Sequence, residues 1–149
     1  MRKSLCDGWE FTEHWSDDFL IGVSAGTPVR IPHTVKELPL HYALNADYEM
    51  VSGYRRKLSV TEKQLEGRLL LVFDGAAHIA TVFVNGEPAG AHKSGYTGFR
   101  VDITELLRPG ENDIAVRLDS TENGSVPPFG FVIDYLTFGG IYREVWLEE

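Results

Sequence analysis

Two loop positions carry most of the chemistry this sequence offers. Asp134 stands directly beside Tyr135, and Asn45 stands three residues ahead of Tyr48. An ionised carboxylate accepts hydrogen bonds from vicinal hydroxyls, and an aromatic face covers the apolar C–H side of a sugar ring. That pairing suits a carbohydrate ligand. The local alternative is equally concrete. A loop aspartate commonly satisfies nearby backbone donors, and Asp134 could instead meet Arg143. Asn45, followed by Asp47 and Tyr48, is open to the same alternative.

Other chemistries find little support. Carboxylates are plentiful, but Asp17-Asp18, Glu122 and Glu148-Glu149 sit in polar, turn-like contexts. No spacing brings a pair together for general acid–base work, so no catalytic residue is assigned. The five histidines, His14, His33, His41, His78 and His92, form no spaced metal-binding motif, so no metal site is expected. His78, on a strand, reads as a packed residue. His33, after Pro32, reads as a structural hydrogen-bonder in a turn. Gly95-Tyr96-Thr97-Gly98 lacks the helix and lysine that a phosphate loop requires, and no cofactor is expected.

Composition bounds the rest. At 149 residues a single domain spanning 1–149 is the default, and 43% hydrophobic residues suffice for one core. A net charge of -8 argues against nucleic acid and anionic membranes as partners. Cys6, the single cysteine, rules out an intrachain disulfide and reads as a small hydrophobe. The stretch Met1–Trp9 has two basic residues but no apolar core of a signal peptide, so a cytoplasmic location is expected. No run is long enough for a transmembrane helix.

The elements that must position these residues read as short strands between turns. Fifteen glycines and seven prolines punctuate many short apolar runs, the pattern of an all-β sandwich or barrel. Strands are expected at 54–60, 68–73, 78–84, 87–92 and 114–118. Asn85-Gly86 is a strong hairpin signal, because both central residues of a type I′ turn take positive φ. Pro109–Asn112 is expected to turn. Thr61 with Gln64 resembles a capping box, and Ile103, Leu106 and Leu107 have helical spacing. After Gly139-Gly140, Ile141, Val145 and Leu147 fit a final strand through Glu148, and an ending on a strand is expected of a piece of a longer protein. Residues 31–49 and 120–134 lack strand character, and long loops in a compact domain often carry function.

Several segments, in order, resemble one family: Ile31-Pro32-His33-Thr34-Val35, Tyr54-Arg55-Arg56, Phe73-Asp74-Gly75-Ala76, Val82-Phe83-Val84-Asn85-Gly86, Gly95–Phe99 with Asp102-Ile103-Thr104, and Gly139-Gly140-Ile141-Tyr142-Arg143-Glu144-Val145. Together they resemble the N-terminal sugar-binding domain of glycoside hydrolase family two, the β-galactosidase and β-glucuronidase group. The resemblance implies a jelly-roll β-sandwich of the galactose-binding-domain type. It implies that the two catalytic glutamates lie in a TIM barrel, reached through an immunoglobulin-like domain, both outside these 149 residues. By resemblance, Asp134, seven residues before Ile141, and Asn45 are the substrate-binding residues that reach sugar hydroxyls, and Arg143 is structural, paired with an acidic neighbour. The loop 120–133 departs from the pattern, which leaves galactoside, glucuronide and mannoside all open. The implied partners are a β-galactoside or related glycoside, the remaining domains of a longer parent, and further copies of that parent in a homo-oligomer. Two alternatives stand beside this: an independent carbohydrate-binding module, or a purely structural domain for subunit contacts.

Overall fold

The computed structural model describes residues 1–36, 49–121 and 139–149. Asn45 and Asp134, with Tyr48 and Tyr135, lie outside the described residues. The described chain forms ten strands in two antiparallel sheets, the all-β sandwich expected. They are β1 (Arg2–Ser4), β2 (Trp9–Thr12), β3 (Thr27–Val29), β4 (Val51–Val60), β5 (Leu70–Phe73), β6 (Ile79–Val84), β7 (Glu87–Lys93), β8 (Phe99–Asp102), β9 (Gly110–Asp119) and β10 (Val145–Glu148). A single helical turn, α1 (Asp17–Leu20), follows β2 and is capped by the Ser16 side chain. The smaller sheet has the order β1-β10-β5-β8, and the larger one β3-β2-β4-β9-β6-β7.

Alternation decides which faces meet. Along β6, Ala80, Val82 and Val84 are fully buried while the residues between them are half-exposed. Ile114, Val116 and Leu118 of β9, Leu71 and Phe73 of β5, and Val145 and Leu147 of β10 complete the interior. Period-2 patterns of this kind bury one face per strand. Trp9 and Tyr54 join them as large buried side chains. Trp9 is core, and Trp15 is packed against Phe83 at 5.5 Å between ring centres. Cys6 is also buried.

The Asn85-Gly86 turn has φ of 50° and 84°, as a type I′ hairpin requires. Thr61 and Gln64 exchange the reciprocal capping-box bonds, Thr61 N–H to Gln64 Oε1 at 3.0 Å and Gln64 N–H to Thr61 Oγ1 at 3.2 Å. Both expected helical turns are 3-10 turns, Gln64–Glu66 and Thr104–Leu106.

Two expectations need correction, and several elements went unanticipated. The expected turn at Pro109–Asn112 is already strand from Gly110, because β9 pairs with β4 along ten residues from Val60↔Gly110 to Val51↔Asp119. The turn is instead closed from inside by the buried Asn112 side chain. It donates to the carbonyls of Arg108 (2.8 Å), Gly110 (3.0 Å) and Leu58 (3.4 Å), and accepts from Arg108 N–H (2.9 Å) and Asn85 Nδ2 (2.8 Å). The final strand begins only at Val145. The backbone of Gly140 and Ile141 is occupied by Ala77 and His33. Strands β1, β2, β3 and β8 and the α1 turn were not legible. Arg2-Lys3-Ser4 is exposed throughout and becomes a strand only because β10 offers it a partner.

Replacing Asn112 by Leu leaves several buried polar groups without partners, each costing about 1–3 kcal/mol. The expected result is a loss of about 2–4 kcal/mol in urea denaturation at unchanged m-value. Wild-type stability in Asn112→Leu would show that the network is dispensable.

Candidate functional site

The two segments that carry Asn45 and Asp134 leave and rejoin the described fold at one rim. Val35 and Gly139 flank them and are joined by Val35 N–H donating to the Gly139 carbonyl at 3.0 Å. On the other side, Ser120 N–H donates to the Met50 carbonyl at 2.9 Å, Ser120 Oγ donates to the same carbonyl at 3.1 Å, and Met50 N–H donates to Ser120 Oγ at 3.3 Å. The two pairs touch each other. A Cβ on Gly139 would lie 2.4 Å from Ser120 Cβ and 3.2 Å from Val35 Cγ2. Four chain stems thus converge within van der Waals contact. The stems place neither Asn45 nor Asp134, but they bring the roots of both segments together.

Beneath the rim lies a histidine–tyrosine pair. Tyr54, from the centre of β4, is fully buried, and its Oη is 2.7 Å from His33 Nδ1. Both rings pack on Phe11 of β2, His33 at 4.7 Å and Tyr54 at 5.0 Å between centres. Burial pushes the Tyr54 phenol well above its ordinary value, against the opposing pull of a hydrogen bond with the Ile141 backbone. Tyr54 therefore keeps its proton. Burial lowers the His33 imidazole from its ordinary 6.5, so His33 is neutral at pH 7. The pair also holds the backbone of the last segment. His33 N–H donates to the Ile141 carbonyl at 2.9 Å. Gly140 has φ of +126°, and a Cβ there would meet the His33 carbonyl oxygen at 2.5 Å and Tyr54 Oη at 3.1 Å. Only glycine suits that position. His33 is thus the structural hydrogen-bonder that its turn context implied.

The remaining candidates resolve differently. His78 is buried, and its N–H donates to the Asp119 carbonyl at 3.0 Å. Arg143 is exposed and lies over the Tyr142 ring at 5.9 Å. Among the described residues no carboxylate pairs with it, so the acidic neighbour expected of it is not among them. Trp146 Nε1 donates to Asp74 Oδ2 at 2.8 Å beneath the Arg2 guanidinium, a surface cluster on the small sheet. Asp102 is held down to about 2 by hydrogen bonds from Thr104 and Arg68, which makes it a fixed anion at a corner rather than an acid. Gly22-Val23-Ser24-Ala25-Gly26 has the Gly-x-Ser-x-Gly spacing of a nucleophile elbow. It joins α1 to β3 rather than a strand to a helix, so it builds no such elbow. Among the described residues no cluster of three metal-ligating side chains occurs, and no helix is long and apolar enough to cross a membrane.

Known proteins are similar to this chain in sequence and in fold. A family model described as the sugar binding domain of glycosyl hydrolases family 2 matches residues 14–149. A β-galactosidase of Thermoanaerobacter pseudethanolicus is 47% identical over 122 residues, covering 80% of this chain and 16% of that protein. A β-galactosidase of Thermoanaerobacterium thermosulfurigenes is 42% identical over 153 residues, covering 99% of this chain and 21% of that one. The crystal structure of a Bacteroides uniformis β-glucuronidase superposes with a TM-score of 0.86 at 29% identity, over 99% of this chain and 17% of that one. The chain therefore spans about a fifth of the length of the curated relatives it matches.

Two outcomes are expected from the histidine–tyrosine pair. Below its ordinary 6.5, an imidazole in the unfolded chain takes a proton that folded His33 refuses. The unfolded state then binds more protons, so stability declines as pH falls from about 6.5 towards the lowered folded value. Urea denaturation across pH should show that slope in the wild type and a flatter one in His33→Gln; equal slopes would place the titration elsewhere. Gly140→Ala combines a positive φ with a backbone clash and should cost about 2 kcal/mol or more in the same assay. A neutral substitution would mean the rim relaxes freely.

Proposed function

The chain belongs to the sugar-binding domain family of the family 2 glycosyl hydrolases, and we propose that it forms one non-catalytic wall of a carbohydrate pocket in a longer glycosidase. Asp134 and Asn45 are the residues we assign to the wall, as acceptor and as mixed donor–acceptor for sugar hydroxyls. The convergence of the four stems carries this reading. Val35, Met50, Ser120 and Gly139 root both segments at one rim, so two residues about ninety positions apart in sequence start from neighbouring points. Two further observations support it. Similar proteins include β-galactosidases and a β-glucuronidase, and the chain covers only 16–21% of the two β-galactosidases. The pocket's acid and nucleophile then belong to the rest of the protein, with a β-galactoside or related glycoside as substrate.

The role assigned to Asp134 is to bind hydroxyls more tightly as the transition state forms, because charge-assisted hydrogen bonds respond to the developing charge on the sugar. In the longer enzyme, Asp134→Ala should lower kcat/KM by more than tenfold, or at least about 1.4 kcal/mol of transition-state binding. Steady-state kinetics on a β-galactoside measures this. An unchanged value would remove Asp134 from the pocket.

A further inference from the structure

A cleft of about 480 Å³ opens beside His33, between β2, β3 and the turn at Ile31–Val35. That volume falls in the range of small-molecule sites. Its apolar side is formed by Phe11 and Val29, and its polar groups come from Glu13, Thr27 and His33. Among the described residues no lysine or arginine lines it.

The hydrogen-bonding sense of the cleft can be worked out. Tyr54 Oη is buried, and among the described residues His33, with Nδ1 at 2.7 Å, is its one hydrogen-bonding side chain. A buried hydroxyl proton needs an acceptor, so the Tyr54 O–H donates to His33 Nδ1. Nδ1 is an acceptor, so the neutral ring carries its proton on Nε2. Among the described residues Nε2 has no hydrogen-bond partner, and neither do the Thr27 hydroxyl or the Glu13 carboxylate. The cleft thus offers a fixed N–H donor, a carboxylate acceptor and a hydroxyl that can do either, above an apolar floor. A pyranose presents the matching set: hydroxyls that donate and accept on its edge, and C–H groups on its face.

We propose that this cleft is a carbohydrate subsite for an uncharged glycosyl residue, with His33 Nε2–H donating to a sugar oxygen and Glu13 accepting from a hydroxyl. The proposal rests on the reading of the chain as a carbohydrate-contacting domain and adds a site argued from residues other than Asp134 and Asn45. It also carries a preference. Glu13 repels a uronate, and no lysine or arginine among the described lining residues offsets that repulsion.

NMR titration of the 149-residue chain tests it. Methyl β-galactoside should shift the amides of Glu13 and Thr27 and the His33 ring signals saturably, with a Kd of about 1–10 mM. Methyl β-glucuronide should bind about fivefold more weakly or worse, from like-charge repulsion with Glu13. His33→Ala should weaken galactoside binding about tenfold, the scale of one lost hydrogen bond. Thr27→Val, a substitution suited to an exposed strand position, should weaken it about threefold in a chain that keeps its native spectrum. Absent shifts at these residues, unchanged binding in both variants, or equal binding of the glucuronide would each overturn the subsite. Shifts confined to Glu49, Thr121 and Gly139 would also overturn it while leaving the wall reading intact. An inert Asp134→Ala in the longer enzyme would remove the wall and leave the subsite standing.

Discussion

One close approach governs this end of the molecule: the backbone of Gly140 lying against the His33 carbonyl and the Tyr54 hydroxyl. No other residue type reaches that contact without displacing the turn at Ile31–Val35 or the centre of β4. The approach lets Ile141 accept from His33 and lets Gly139 accept from Val35. It also sets where β10 begins, since Gly140 bridges Ala77 before the chain turns into the small sheet at Val145. The early turn, the central strand of the large sheet and the closing strand of the small sheet are therefore linked through one glycine.

The core supplies the stiffness that makes this contact useful. Tyr54 sits among Trp9, Phe11 and His33, with edge or tilted ring contacts between 5.0 and 6.4 Å. Such pairs add to area burial and fix ring orientation. The same β4 strand is paired with β9 along its whole length, so Tyr54 Oη has little freedom to drift from His33 Nδ1. At the opposite end of β4 and β9, Asn112 and Asn85 close the sandwich with a polar network. One end of the long β4–β9 pair is tied by buried amides. The other presents the rim. Rigid elements holding variable segments is the arrangement binding sites generally use.

Much of the fold was legible from local pattern. Asn85-Gly86, the alternation of Ala80, Val82 and Val84, and the Thr61–Gln64 box each involve residues that contact one another within a few positions. The errors fall where the partner is distant. Arg2-Lys3-Ser4 carries no strand signal and pairs with residues near position 148. The apolar alternation from Ile141 promised a strand, but Ile141 gives its carbonyl to His33, more than a hundred residues earlier. Asn112 looked like part of a turn and proved to be a buried bracket for one. The Gly-x-Ser-x-Gly spacing at Gly22–Gly26 shows the converse: a local pattern without the strand–turn–helix setting that would give it meaning.

The sequence by itself determined the all-β class, the central hairpin and the family, because each rests on short-range periodicity or on motifs in a characteristic order. It also singled out Asp134 and Asn45 as residue types suited to hydroxyls. Only the tertiary structure decided that the stems of their two segments share a rim, since Val35–Gly139 and Met50–Ser120 are contacts between residues 70 to 104 positions apart. The tautomer of His33 was decided in the same way. A histidine after a proline has no preferred ring nitrogen; the Tyr54 hydroxyl, brought there by the packing of β4, selects one. Local pattern can specify how a strand alternates, but proximity across the sandwich is set by which faces exclude water together.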